Sequence, residues 1–324
     1  MFENLIGQPE IKRQLEFYAE AYKKTSIIPF ILLNGAKGLG KTEFLKSFSK
    51  SLTNVDGKPR PMLELNSSTI KNNQMFFEQI FLPIVQGNEI TLFFDEAHAL
   101  PKDLMMSFLS ILNTERTSYK EFNWREFTFT FDFTKISMIF ATTELDKLFP
   151  PLKDRLTVLD FKPYKANEIA EIISNRLPDV EFEEDLLTEI ASTTRGNARS
   201  AVKRAKEIET YCETQNSTLF FKEEWNSLRK ILGIKPLGIT NTEMQVLEIL
   251  AERGPSTLQT IAAVTGMSRS AIQRDAELYL LQRGLMRIDG HREITKAGML
   301  VLKDVQGREA DMLAQEADES NAPF

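Results

Sequence analysis

Gly35-Ala-Lys-Gly-Leu-Gly-Lys-Thr42 is the stretch on which the fold turns. It satisfies G-x-x-x-x-G-K-S/T throughout, and its flanks suit the motif. Pro29-Phe-Ile-Leu-Leu-Asn34 has the apolar run of a buried parallel strand, and Thr42-Glu-Phe-Leu-Lys-Ser-Phe-Ser49 has helical periodicity. In such a strand, loop and helix, Gly35, Gly38 and Gly40 let backbone N–H groups turn inward around phosphate oxygens, at a helix N-terminus whose dipole also favours anions. Lys41 is then set to reach the β and γ phosphates, and the Thr42 hydroxyl to ligate Mg2+. The expectation is a nucleoside triphosphate site.

Two further strands extend it. Thr91-Leu-Phe-Phe-Asp-Glu96 is apolar and ends in two acids, which presents Asp95 to Mg2+ and Glu96 to an attacking water. His98 follows, outside any H-E-x-x-H zinc pattern, and is taken as a polar residue near the site. Ser137-Met-Ile-Phe-Ala-Thr-Thr143 ends in threonines, one of which could orient that water. Pro150-Pro-Leu-Lys-Asp-Arg155 puts a basic residue on a loop beyond the sheet; on spacing alone a plain surface arginine is the better reading of Arg155.

Length and composition bound the rest. The chain's 324 residues suffice for two or three domains, and a net charge of -6 argues against a generally basic nucleic-acid coat without excluding a local basic surface. Cys212 is the single cysteine, so an internal disulfide and a cysteine-based zinc site are both excluded, which fits a cytoplasmic location. No apolar run approaches the ~20 residues of a membrane span. Strand-like and helix-like runs alternate over residues 1–162, which predicts an α/β core with a parallel sheet. Residues 163–237 carry helical patterns only and predict an all-helical domain; 238–305 form a third compact unit, and 306–324 an acidic flexible tail.

An insertion near 115–135 interrupts the core. Phe127, Phe129, Phe131 and Phe133 alternate with polar residues, a period of two that predicts a strand with one aromatic face, and Thr117-Ser-Tyr-Lys-Glu-Phe122 supplies its partner strand. The four phenylalanines are expected to pack on the core. Phe122 and Trp124, near the hairpin tip, are expected to be exposed and to dock a partner.

In the third unit, Thr240–Arg253 and Ser256–Gly266 read as helices, and Ser268 as the N-cap of another running to about Gln282. A helix, a glycine turn and a capped helix form a helix-turn-helix signature, and Asp289-Gly290 marks a hairpin, so the unit looks like a winged helix. Arg269 and Arg274 on the candidate recognition helix, with His291 and Arg292 near the wing tip, are expected to contact DNA through its phosphates.

Asn4-Leu-Ile-Gly-Gln8, Gly35–Thr42, Asp95-Glu-Ala-His98, Ala141-Thr-Thr143, Pro151-Leu-Lys-Asp-Arg155 and Arg195-Gly-Asn-Ala-Arg199 occur in an order that resembles the AAA+ ATPases, and nearly the whole chain resembles the RuvB family of Holliday-junction branch-migration motors. The resemblance implies ATP and Mg2+ as cofactors, nucleotide contact from Ile6, Thr143 as sensor 1, Arg155 as an arginine finger and Arg199 as the sensor-2 arginine. It implies a ring, usually a hexamer, acting on duplex or branched DNA in recombination and repair, and a hairpin that docks a junction-recognition protein resembling RuvA. A clamp or helicase loader and a nucleotide-switched initiator remain the alternatives. The chain departs from the family at Ala36-Lys37, where two prolines are usual, in a shorter N-terminal segment, and in the hairpin's sequence.

Overall fold

A computed structural model describes residues 1–112 and 118–307, and the chain divides into two compact units: Met1–Pro178 with Gly196–Lys206, and Asp179–Arg195 with Glu207–Phe324. The start of the insertion and the tail from 308 onward lie outside the described residues. Among the described residues no helix is long and apolar enough to cross a membrane.

The first unit begins with helix α1 (Pro9–Thr25), amphipathic and buried along Ile11, Leu15, Ala19 and Tyr22. Strand β1 (Ile31–Asn34) leads through the glycine loop into α2 (Lys41–Ser49). Strands β2 (Met62–Asn66), β3 (Ile90–Asp95), β6 (Ile136–Thr142) and β7 (Thr157–Asp160) complete a five-stranded sheet in the order β2-β3-β6-β1-β7, every pair parallel. The central strands β3 and β6 are buried on both faces, which is why they read as unbroken apolar runs rather than alternating ones. Register places Phe94 opposite Phe140 and Asn34 opposite Thr142, so the C-terminal ends of β3, β6 and β1 lie side by side.

Between β3 and β6 come α4 (Lys102–Ile111) and the hairpin of β4 (Tyr119–Trp124) and β5 (Phe127–Asp132). The structure corrects the expectation of an exposed aromatic tip. Trp124 is buried and Phe122 partly buried, because the hairpin lies on a helical segment, 73–85, whose wide π-type turns carry Phe77 and Phe81. The Phe77 ring stacks on Phe122 at 5.4 Å and on Phe129 at 5.2 Å, and Phe81 meets Phe131 at 4.3 Å. The turn residue Arg125, at φ 54, covers the Trp124 ring at 4.5 Å and donates to Glu78 and Gln74 of the same segment. The tip is thus tied back by a cation–π contact and two hydrogen bonds. Phe129, Phe131 and Phe133 are buried as expected; Phe127 is half exposed.

The second unit contains α7 (Leu186–Ser192), following α6 (Ala166–Ser174) of the first unit and the short α5 (Pro150–Lys153) before it. Helix α8 (Ala198–Gln215) starts in the first unit and ends in the second, and α9 (Lys222–Leu232) buries Trp225. Trp225 and Arg229 both donate to the Glu189 carboxylate of α7. Helix α10 (Asn241–Arg253) opens with a reciprocal capping box, Glu243 N–H to Thr240 Oγ1 at 3.2 Å and Thr240 N–H to the Glu243 carboxylate at 2.7 Å. Thr257 caps α11 (Leu258–Thr265) and Ser268 caps a helix over 269–282, each accepting from the backbone three residues on. Met244, Leu247, Ile261, Ile272 and Leu280 form the core under these helices. A two-stranded wing, Met286–Asp289 with His291–Ile294, and a helix over 296–307 close the unit.

The hairpin's dependence on one ring is testable. Phe77→Ala is expected to destabilise the first unit by about 3–5 kcal/mol, read by denaturant unfolding, and to expose Trp124, read as a red-shifted fluorescence maximum against a Trp225→Phe background.

Candidate functional site

The loop after β1 is built around its carbonyls and amides. Gly35 N–H donates to Thr142 O at 3.2 Å, fixing the loop's start to the end of β6. Gly40 caps α2 at φ 90 with no side-chain acceptor, so the first-turn N–H groups of a nine-residue helix face an open cleft. Lys41 is buried, and its ammonium donates to Gly35 O at 2.6 Å and Ala36 O at 3.1 Å, which folds the loop over it. Burial draws the Lys41 pKa down; the Asp95 and Glu96 carboxylates draw it up, and Arg199 opposes them.

Two residues given no role by the sequence shape this loop. Asn197 Nδ2 donates to Lys37 O at 2.6 Å, and the Asn197 amide fills the space where a Cβ on Gly38 would stand. Tyr164 donates its hydroxyl to Leu39 O at 3.1 Å, and burial pushes its pKa up to about 12, so it stays a neutral donor. Gln8 bridges to Lys162 through both ends of its side-chain amide, tying the segment that holds Ile6 to the strand end after β7.

At the end of β3 the chain turns sharply: Glu96 takes φ 52 and its N–H is capped by Asp95 Oδ1 at 3.0 Å. Thr143, just past β6, donates to Glu96 Oε2 at 3.1 Å. Arg199 bonds through its backbone N–H to Gly38 O at 3.1 Å. Ile6, Gly38, Gly40, Lys41, Thr42, Asp95, Glu96, Thr143 and Arg199 line one cleft of about 1240 Å³, large enough for a nucleotide. Gly35 begins the same loop but does not line the cleft. Arg155 does not line the cleft; its guanidinium donates to Leu109 O at 3.2 Å and Pro151 O at 2.7 Å.

This donor set fits a magnesium-bound triphosphate. The Thr42 hydroxyl and the Asp95 carboxylate are hard oxygen donors on the same cleft, and Mg2+ ordinarily takes one or two such donors and completes its shell with phosphate oxygens and water. Lys41 and Arg199 supply positive charge beside them.

In the winged-helix region Arg269, Arg274 and His291 are exposed, and Arg274 pairs with its neighbour Asp275 at 2.7 Å. The expectation for Arg292 is corrected. Its Nε donates to the buried Glu277 at 2.6 Å, and its backbone exchanges hydrogen bonds with Ser256. The wing strand turns position 292 inward toward the helix over 269–282, so Arg292 neutralises a buried carboxylate instead of facing a ligand. Arg195 plays a similar part within the second unit: it donates to Gly238 O and to the fully buried Glu243, and lies over the Tyr279 ring at 3.7 Å.

Two outcomes follow. Arg292→Ala leaves Glu277 buried without its partner and is expected to destabilise the second unit by about 3–5 kcal/mol, seen as a lowered melting temperature in the absence of DNA. Gly38→Ala forces a side chain into φ 83 against Asn197 and is expected to weaken nucleotide binding by about tenfold, the equivalent of about 1–2 kcal/mol of left-handed backbone strain, measured by titration with a fluorescent ATP analogue.

Comparison with known proteins agrees with this geometry. Residues 31–164 match the model of the ATPase family associated with various cellular activities (AAA), and residues 236–303 match the RuvB C-terminal winged helix domain. The chain is 27% identical over 308 residues to the Holliday junction branch migration complex subunit RuvB of Trichormus variabilis, covering 91% of this chain and 81% of that protein. It is 27% identical over 306 residues to the subunit of the same name from Campylobacter jejuni, covering 91% and 88%. The solved structure of the Thermotoga maritima RuvB Holliday junction branch migration motor superposes with a TM-score of 0.71 at 24% identity, covering 92% of this chain and 95% of that one, which shows the shared fold. An AAA module and a RuvB winged-helix module occur in one chain, and curated RuvB subunits align along most of it, so the protein is similar to the RuvB-type AAA+ ATPases.

Proposed function

We propose that the protein is an ATP-hydrolysing motor that moves duplex DNA, working as a ring on Holliday junctions in recombination and repair. The observation that carries this reading is the convergence of Lys41, Thr42, Asp95, Glu96, Thr143 and Arg199 on one cleft in a chain that also holds a winged-helix module. Bound Mg2+ would supply positive charge to the phosphate oxygens, held by Thr42 and Asp95. Lys41 would neutralise the β and γ phosphates, and Glu96 would accept the proton of the attacking water while Thr143 fixes that carboxylate's orientation. Arg199 would read the γ-phosphate of its own subunit.

Arg155 supports a shared site. Outside its own cleft, the guanidinium sits on backbone carbonyls of α4 and α5, a placement that suits a finger offered to the neighbouring subunit's nucleotide. The family resemblance gives the ring as a hexamer. Arg269, Arg274 and His291 are the proposed phosphate contacts on DNA. A junction-recognition partner resembling RuvA would meet the hairpin's exposed Tyr119 and Phe127.

The experiment is ATP turnover and branch migration on a synthetic four-way junction. Lys41→Ala is expected to abolish both. Arg155→Ala is expected to bind ATP but lose ~10³-fold or more in turnover, and rings mixing it with wild-type chains to lose more than their share. Activity falling in strict proportion to the wild-type fraction would contradict the shared site, and ATP turnover without any junction movement, alone or with a junction-binding partner, would contradict the motor.

A further inference from the structure

We propose that His98 is a positioning residue for Glu96, setting the water-activating carboxylate through a clamp on the end of β6; the inference rests on the ATPase reading above. The turn after β3 carries His98 against β6, where its ring is mostly buried, and both ring nitrogens are engaged. Nε2 lies 3.0 Å from Glu144 Oε2, and Nδ1 lies 2.9 Å from Thr142 Oγ1. Glu144 is in turn held by Lys147 at 2.5 Å, and its backbone N–H donates to Thr142 Oγ1 at 3.1 Å.

An ionised carboxylate only accepts, so the nitrogen facing Glu144 carries the hydrogen. Thr142 Oγ1 both meets Nδ1 and accepts from Glu144 N–H, so one hydroxyl joins the ring to the backbone at the end of β6. The Nδ1 edge stands 3.5 Å from Glu96 Oε2, the same oxygen that accepts from Thr143 at 3.1 Å. Glu96 Oε2 is therefore bounded by the His98 ring edge as well as held by the Thr143 hydroxyl. That arrangement limits where the carboxylate can turn. Motif spacing alone left His98 as a bystander, and the cleft reaches it only through Glu96 and Thr143. His98 thus acts through another residue, as ligand-orienting partners behind a first shell do.

The test is steady-state ATP hydrolysis by the full-length protein, with ATP affinity measured separately by titration of a fluorescent ATP analogue and melting temperature recorded for every variant. His98→Ala is expected to lower kcat by about 10–100-fold while the analogue's Kd stays within about threefold of wild type. His98→Asn, which keeps a polar group where Nδ1 meets Thr142, is expected to recover most of kcat. In the double variant with Thr143→Ala, the loss is expected to be smaller than the product of the two single losses, because both groups act on one Glu96 oxygen. Equal kcat in wild type and His98→Ala overturns the inference. So does a fall in melting temperature and ATP affinity that tracks kcat in both variants with no rescue by asparagine, which would make His98 a support of the fold. A wild-type protein that binds ATP without turning it over overturns the ATPase reading itself, and this inference with it.

Discussion

Parallel pairing of β1, β3 and β6 in one register is the constraint on which the rest of the site depends. In an open parallel sheet the strand ends all open onto one edge, where ligands bind. Here the register aligns Asn34 with Thr142 and Phe94 with Phe140, so Gly35, Asp95 and Thr143 emerge next to one another without any long-range adjustment. The hydrogen bond from Gly35 N–H to Thr142 O locks the glycine loop to that register. A slip of one residue in β3 would reverse its faces and take Glu96 away from Thr143.

The cleft gathers charge of both signs in a partly buried space, and each charge is answered locally. Lys41 is enclosed by two loop carbonyls and faces two carboxylates; Glu96 is held by Thr143 and bordered by His98. The loop itself is braced by side chains from elsewhere in the first unit, Asn197 on Lys37 O and Tyr164 on Leu39 O. Such bracing lets a chain of backbone amides stay open toward an anion instead of collapsing onto its own oxygens.

Much of this was legible in the sequence, for identifiable reasons. The glycine loop, the double acid and the threonine pair each sit at the end of an apolar strand, and apolar runs survive in sequence as clearly as they do in the buried sheet. The hairpin was legible as two strands, because a period of two shows itself, but the fate of its aromatic face was not. What covers Trp124 is the segment 73–85, and no spacing in either piece says that Phe77 will stack between Phe122 and Phe129. Arg292 misled for the same reason: an arginine near a wing tip looks solvent-facing until the buried Glu277 opposite it is seen. Tyr164 left no signal, and Asn197 lay in a quoted motif without a role, because both bond to backbone carbonyls, which every residue carries. Ala36-Lys37, the departure from the family inside the motif, sits where the Asn197 amide closes on Lys37 O, so the loop keeps its shape there through a side-chain brace.

The measurement that tests the central claim most directly is hydrogen–deuterium exchange of the full-length protein with and without magnesium and a slowly hydrolysed ATP analogue. If the strand ends build one triphosphate cleft, exchange slows together at the backbone amides of 36–42, 95–98 and 142–144 when nucleotide is present, while the core of the winged-helix region over 241–282 is unchanged. Unaltered exchange at 36–42 with saturating nucleotide would contradict the account.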